Sequence, residues 1–323
     1  SYRTQDRNIP VPALAVTDDI ENFKNEADTN FDLQPNRLWA DKIIKNWQKS
    51  AKDKPYEIPV QIGNKELFEG NTYEYLDRSQ NDSVRVCKTY LSTTDQVKEI
   101  IEIAEKDASG WRKTALAERN RILHQVAINL ANGRGDLIGC MSAITGKTFA
   151  EGDVEVSEAI DFCRFYPISM KSFEELNTVQ QSPKGIILVI PPWNFPLAIP
   201  VGGVAAALAG GNTVILKAAT VALPVAWEFA KHFWDAGVPK DALQVVCTDG
   251  REPLSLLSAH PSIQHIILTG GTDTAFRLLE NNPTYAISAE TGGKNAIIVT
   301  SSADRGHAIL NIVPQAFCND RQR

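Results

Sequence analysis

Short apolar runs alternate with helical patterns from residue 184 to the end of the chain. The apolar runs have four to six residues each and predict strands over residues 186–190, 213–216, 243–247, 263–268, 285–289 and 296–299. Helical periodicity predicts helices over residues 198–208, 222–236, 251–258, 273–279 and 304–317. Buried strands that alternate with helices are typical of a doubly wound, mostly parallel α/β sheet. Such a sheet binds ligands at the carboxyl ends of its strands.

The first half of the chain is organised differently. Residues 1–35 are polar and punctuated by prolines, so we predict a linker or an extended N-terminal arm. Strand-like runs lie at residues 58–62 and 84–86. Amphipathic periodicity predicts helices over residues 38–49, 94–107, 115–132 and 153–166, and Thr94 is the expected N-cap of the second.

The charge balance argues against nucleic-acid and anionic-membrane partners. The 323 residues include 33 Lys and Arg against 39 Asp and Glu, so the formal net charge is −6. Residues 185–216 carry no charge and are long enough to cross a bilayer. Their four prolines would interrupt a spanning helix, so we predict no membrane span.

Cysteines and histidines indicate neither a disulfide framework nor a metal site. The five cysteines are odd in number, widely spaced and without a CxxC pair. The five histidines do not cluster with them at metal-ligand spacing. We therefore predict reduced, mostly buried thiols in a cytoplasmic protein.

Two polar residues at predicted strand ends are candidates for chemistry, although the chain lacks the glycine-rich fingerprints GxGxxG and GxxxxGK[ST]. Asn194 lies in a proline-rich turn after the first strand and offers an amide donor, or it serves the backbone of its own loop. Lys217 ends the next strand and places a cation at the sheet edge, or it extends to the rim as an ordinary lysine.

Two further strand ends carry glycine pairs. Thr269, Gly270 and Gly271 end a strand and open a helix, where backbone amides could receive an anionic or polar group. Glu290 ends another strand ahead of a second glycine pair. A poorly solvated carboxylate there would have a raised pKa and suit a general base, whereas the alternative is a carboxylate paired with Lys294 or with a helix end.

Taken in order, these segments resemble the motif set of the aldehyde dehydrogenase superfamily. The motifs are residues 192–196 (PWNFP), 212–217 (NTVILK), 268–271 (LTGG) and 290–294 (ETGGK). Residues 155–162 and 23–29 resemble the pyrroline-5-carboxylate dehydrogenase part of the bifunctional proline utilisation A proteins. Residues 1–22 then resemble the linker after the proline dehydrogenase half, and residues 36–323 the NAD(P)-binding domain.

The resemblance implies a thioester mechanism with a nicotinamide cofactor. A cysteine attacks the aldehyde, Asn194 stabilises the oxyanion, and Glu290 activates the water that hydrolyses the thioester. Lys217 would hold the adenosine ribose. The other residues implied to contact the cofactor are Ile190, Pro191, Trp193, Thr220, Gly250, Thr269, Gly270, Gly271 and Thr291.

The chain departs from the family pattern in two places. The family's G-Q-x-C motif falls on residues 319–323, and the cysteine would be the next residue. We therefore expect the cofactor-binding half without its nucleophile and catalytic domain; Cys318 is a substitute only if it is not a buried helical thiol. Ala218, Ala219 and Thr220 replace a segment that often carries glutamate, which leaves the preference for NAD over NADP open.

The function that this resemblance implies is NAD-dependent oxidation of L-glutamate γ-semialdehyde to glutamate in proline catabolism, with NADP as a second possible cofactor. The complete enzyme is expected to be a homo-oligomer, and a fusion to a proline dehydrogenase domain is compatible with the pattern. The alternatives are a dehydrogenase for another aldehyde, and a non-catalytic cofactor-binding or structural module. As a half-protein, the chain is expected to expose an apolar face.

Overall fold

The computed structural model describes residues 20–53, 55–80, 84–174, 176, 178, 180–248 and 252–317. The strands are β1 (Tyr56–Ile58), β2 (Val60–Ile62), β3 (Lys65–Leu67), β4 (Thr72–Leu76), β5 (Arg85–Tyr90), β6 (Ile186–Ile190), β7 (Thr213–Lys217), β8 (Leu243–Val246), β9 (Ile263–Thr269) and β10 (Ile287–Glu290). The helices are α1 (Gln34–Asp53), α2 (Thr94–Lys106), α3 (Leu116–Asn132), α4 (Arg134–Thr145), α5 (Phe149–Glu174), α6 (Ala198–Ala209), α7 (Leu223–Asp235), α8 (Glu252–Ala259), α9 (Thr272–Asn281) and α10 (Arg305–Phe317).

A five-stranded parallel sheet forms the centre of the fold. Its strand order is β10-β9-β6-β7-β8, and every neighbouring pair is parallel. The order reverses at β6, which pairs with β7 on one side and β9 on the other. This arrangement confirms the predicted doubly wound α/β sheet and brings all five carboxyl ends to one edge.

Both faces of β6, β7 and β8 are buried, which explains why these strands are mostly apolar without alternation. Ile187 and Val189 of β6 belong to a core that includes α3 to α7, whereas Ile186, Leu188 and Ile190 belong to a core with α2, α8 and α9. Because successive side chains in a strand alternate in direction, β6 contributes to both cores.

The first half of the chain adds two smaller sheets. One has the order β1-β5-β4, with β1 parallel and β4 antiparallel to β5, and the other is the hairpin β2–β3. The single strand predicted over residues 58–62 was therefore wrong: the run divides between two sheets, and Pro59 separates them because proline has no N–H to donate to a ladder.

Helix predictions in this half were incomplete. Helix α4 was missed because it is buried on nearly every side, so its sequence lacks an amphipathic period. Helix α5 is longer than the predicted segment and continues through Pro167. Thr93, not Thr94, caps α2: its hydroxyl accepts the N–H of Gln96, whose side chain accepts the N–H of Thr93.

The strand predicted over residues 296–299 does not form. These residues follow the edge strand β10 and pair with no strand among the described residues, and Ile298 is 88% exposed. A strand needs a neighbour to satisfy its backbone, so an apolar run alone is insufficient.

A segment without helix or strand precedes α1, and the described thiols are buried. Residues 23–30 contain no helix or strand and lie against α5, where Asp161 accepts the N–H of Glu26 and the side-chain amide of Asn25. Four cysteines are free and buried: Cys87, Cys140, Cys163 and Cys247. Across the part of the chain that the structure describes, no helix combines the length and apolar character needed to cross a membrane.

Candidate functional site

A cleft of about 550 Å³ opens at the carboxyl edge of the central sheet, and we call it the strand-end cleft. It lies at the carboxyl ends of β6, β9 and β10, beside the point where the strand order reverses. Parallel sheets commonly bind ligands at this position. Its lining residues are Ile190, Pro191, Pro192, Trp193, Asn194, Phe195, Ile199, Ala219, Leu268, Thr269, Gly270, Gly271, Thr274, Glu290, Thr291 and Gly292.

Most residues singled out from the sequence meet in this cleft. Both candidate catalytic residues line it, as do Ile190, Pro191, Trp193, Thr269, Gly270, Gly271 and Thr291. Lys217 and Thr220 do not line it, although their neighbour Ala219 does. Gly250 lies outside the described residues.

Asn194 is partly buried in the turn between β6 and α6. Among the described residues, its side chain has no hydrogen-bond partner. The amide therefore does not serve its own loop, which was the alternative reading of the sequence. An unused amide at a cleft wall is available to a ligand oxygen.

The ends of β9 and β10 are joined beside Asn194. The N–H of Gly270 donates to the backbone oxygen of Glu290 at 3.0 Å, so the two motifs form one wall of the cleft. Helix α9 begins directly after Gly271, whose extended backbone provides no side-chain cap. The first N–H groups of α9 are therefore open to an anionic or polar ligand group.

Glu290 itself departs from the expected environment. Its side chain is exposed, so the poor solvation that the sequence reading required for a general base is absent. Tyr166 of α5 lies near Glu290. Its pKa is raised, first by burial and then by the negative charges of Glu290 and Glu158. No sequence pattern connected α5 with the end of β10, because they are more than 100 residues apart.

Lys217 and Thr220 lie beside the cleft instead of within it. Burial lowers the pKa of the Lys217 ammonium group, and the nearby Cys247 opposes this only in part. The backbone oxygen of Thr220 accepts the hydroxyl of Tyr75 at 2.6 Å, which fixes the loop after β7. A partly desolvated cation next to an open cleft is suited to a polar or anionic ligand.

Replacing Lys217 by methionine is expected to stabilise the ligand-free chain, because it removes a cation that burial disfavours. The gain should be largest at neutral pH. It should shrink as the pH rises towards the ordinary lysine pKa of about 10.4, because unfolding of the parent chain then takes up a proton. Chemical denaturation of both chains between neutral and alkaline pH measures this difference. Lys113→Met, at an exposed lysine, is the matched control and should show no such trend.

Three residues near Asn194 were given no role in a site from the sequence, although Phe195 and Glu155 lie within the segments that carry the family resemblance. Phe195 lines the cleft, Lys147 lies over its ring, and Glu155 contacts Lys147. One signal was available: Glu155 shares a helical face with Ala159 and Phe162, so a carboxylate occupies an otherwise apolar stripe.

Several large apolar side chains are exposed in the part of the chain that follows β10. Ile298, Ile309, Leu310 and Val313 are exposed large hydrophobic side chains, which agrees with the expected exposure of an apolar surface. Helix α10 is mostly exposed over residues 305–313. Cys318 lies outside the described residues.

A comparison with protein-family models matches residues 68–323 to the aldehyde dehydrogenase family. The bifunctional protein PutA of Escherichia coli (strain K12) is 33% identical over 240 residues, which cover 72% of this chain and 18% of that protein. The 1-pyrroline-5-carboxylate dehydrogenase of Geobacillus sp. (strain WCH70) is 29% identical over 316 residues, which cover 92% of this chain and 61% of that protein. The chain thus spans less than two thirds of these relatives.

Solved structures of proteins with the same names superpose on this chain. Proline utilization A from Bdellovibrio bacteriovorus superposes with a TM-score of 0.85 at 28% identity, over 92% of this chain and 32% of that one. The NAD-bound 1-pyrroline-5-carboxylate dehydrogenase from Thermus superposes with a TM-score of 0.84 at 26% identity, over 91% of this chain and 60% of that one.

Proposed function

Because this chain belongs to the aldehyde dehydrogenase family, we propose that residues 36–323 are the cofactor-binding part of an NAD-dependent aldehyde dehydrogenase. The observation that carries the proposal is the strand-end cleft. It brings Asn194, the turn at residues 269–271 and Glu290 to one site at the carboxyl edge of the sheet. These are the residue types that the family chemistry requires, gathered where such a fold binds its ligands.

The cleft fits a dinucleotide. Cβ atoms built on Gly270 and Gly271 would meet only Leu268 and Thr274, each at 3.9 Å, so neither glycine is needed for internal packing. Because glycine has no side chain, a ligand can approach the backbone closely at these two positions. The open N-terminus of α9 suits a phosphate, and the Lys217 cation suits the polar or anionic end of the cofactor. We name NAD because the Thermus relative holds it; Lys217 without a neighbouring glutamate is also compatible with NADP.

In the proposed reaction, Asn194 donates a hydrogen bond from its side-chain amide to the oxygen that becomes negative when a cysteine thiolate adds to the aldehyde carbon. That cysteine lies outside the described residues. A bound nicotinamide cofactor would supply the hydride acceptor that converts this adduct into a thioester. Glu290 then removes a proton from the water that hydrolyses the thioester. Its exposed position in this chain gives it direct access to water.

The substrate is proposed to be L-glutamate γ-semialdehyde, which is oxidised to glutamate in proline catabolism. Relatives over most of this chain are named 1-pyrroline-5-carboxylate dehydrogenase or PutA, which supports this substrate over other aldehydes. The complete enzyme is proposed to be a homo-oligomer in which a proline dehydrogenase domain can precede this chain. Four free, buried thiols support a reducing cytoplasmic location.

Two measurements test the proposal. The full natural protein should reduce NAD with glutamate semialdehyde much faster than with acetaldehyde or succinate semialdehyde. The chain itself should bind NAD with saturable quenching of tryptophan fluorescence, because Trp193 is 40% exposed at the cleft. Trp193→Phe is the matched control and should lose most of the quenching. Binding without turnover in the full protein would favour a non-catalytic module, and a preference for another aldehyde would change the substrate.

A further inference from the structure

A buried ion pair lies directly behind the turn that carries Asn194. Lys147, in the loop between α4 and α5, donates from Nζ to Oε1 of Glu155 on α5. The two side chains are 4% and 1% exposed, so both charges are withdrawn from solvent. Burial of two charges is costly and is offset only by close geometry and further hydrogen bonds.

Glu155 makes those further bonds to the start of α6. Its Oε2 accepts the backbone N–H groups of Leu197 and Ala198 at 3.0 and 3.1 Å. Leu197 is the N-cap of α6 and has no side-chain oxygen to offer. Glu155 therefore caps α6 from another helix, and its negative charge is favourable at a helix N-terminus.

Lys147 contacts the same segment nearer to Asn194. Its Nζ lies 4.0 Å from the centroid of the Phe195 ring, which is a cation–π contact. Among the described residues, the backbone of residues 192–196 makes no hydrogen bond to another backbone group. The ion pair therefore holds the turn through polar contacts. These contacts are made to Phe195, Leu197 and Ala198, three of the four residues that follow Asn194.

We propose that Lys147 and Glu155 are positioning residues that hold Asn194 at the wall of the strand-end cleft. The proposal rests on the proposed function, in which Asn194 stabilises an oxyanion. Neither Lys147 nor Glu155 lines the cleft, so both act through the turn. The effect can be large, because a displacement of about 1 Å in a catalytic group can cost about a hundredfold in rate.

A double-mutant cycle in the full natural protein tests this inference. Glu155→Gln keeps the shape and one acceptor oxygen but removes the charge that holds Lys147. We expect kcat to fall by about tenfold to a hundredfold, with the KM for NAD changed by less than about twofold. In an Asn194→Ala background, the same change should lower kcat by less than about twofold, because no amide remains to be misplaced.

Asp153→Asn is the matched control. Asp153 is also 1% exposed and lies two residues earlier on α5, but it bonds to Arg134 and Thr29 and not to the turn. It should lower the melting temperature and leave the kcat of the folded enzyme unchanged. If Glu155→Gln does not fold, the double variant Lys147→Met/Glu155→Gln takes its place, because it removes both buried charges together. Its kcat is then compared in the parent and Asn194→Ala backgrounds.

The outcomes separate the two proposals. If Glu155→Gln leaves kcat unchanged, lowers it equally in both backgrounds, or is matched by Asp153→Asn, the positioning role is overturned while the proposed function stands. If Asn194→Ala alone leaves kcat unchanged, the oxyanion role fails, and the positioning role fails with it. Lys147→Arg keeps the charge over the Phe195 ring, whereas Lys147→Met removes it. A higher kcat for Lys147→Arg than for Lys147→Met would add support.

Discussion

Asn194→Ala is expected to lower the kcat of the full natural protein by about 10²- to 10³-fold, the usual effect of losing one oxyanion donor. The amide lines the strand-end cleft and has no partner among the described residues, so its removal costs little stability. The interaction is made only when charge develops on the substrate oxygen. The KM for NAD should therefore change by less than about twofold.

Asn194→Asp distinguishes the effect of losing the hydrogen-bond donor from the effect of losing side-chain volume. Aspartate has nearly the same shape but, when ionised, only accepts hydrogen bonds and repels the oxyanion. It should be at least as inactive as the alanine variant. Steady-state kinetics with saturating NAD measure both variants. A kcat within about threefold of the parent for Asn194→Ala would contradict an oxyanion role.

Arg134→Met is expected to lower the free energy of unfolding by about 3–5 kcal/mol, because it leaves buried carboxylates without their cation. Arg134 is 1% exposed at the start of α4. Its Nη1 donates to Asp153 Oδ1 at 2.9 Å and to Ser157 Oγ at 3.1 Å, and its Nη2 donates to Glu26 Oε1 at 3.3 Å. The side chain thus ties the N-terminal arm to α4 and α5.

Urea denaturation gives the size of this loss, and hydrogen exchange locates it. The loss is a large part of the roughly 5–15 kcal/mol that stabilises a typical domain. Exchange should accelerate first in residues 23–30, since Glu26 is on the arm. Arg121→Met, which breaks an exposed pair with Glu118, is the matched control and should leave stability unchanged within error. Equal effects of the two substitutions would show that burial of the Arg134 network contributes nothing.

The central sheet and most of the cleft were predictable because their signals are local. An apolar run between turn residues gives a buried strand such as β6, and the next residues in sequence must lie at its carboxyl end. Asn194 and Glu290 were therefore placed at one edge of a parallel sheet without any knowledge of its strand order. The same local logic failed for α4, whose burial on all sides removes the period that reveals a helix.

The surroundings of those residues depend on elements far apart in the chain. Periodicity shows which face of α5 is apolar but not which element covers it, so the contact between Glu155 and Leu197 has no sequence signature. Exposure is equally non-local: β10 is an edge strand, and so Glu290 is exposed although its motif suggested burial.

The sequence by itself determined the fold class, the family and the residues that meet at the strand ends, because each follows from local pattern and chain order. Only the tertiary structure decided that Lys217 lies beside the cleft and not within it, that the N-terminal arm is bound through Asp161, and that a buried ion pair supports the Asn194 turn. The physical reason is that burial and charge pairing are properties of packed surfaces, and those surfaces are assembled from segments that the chain keeps far apart.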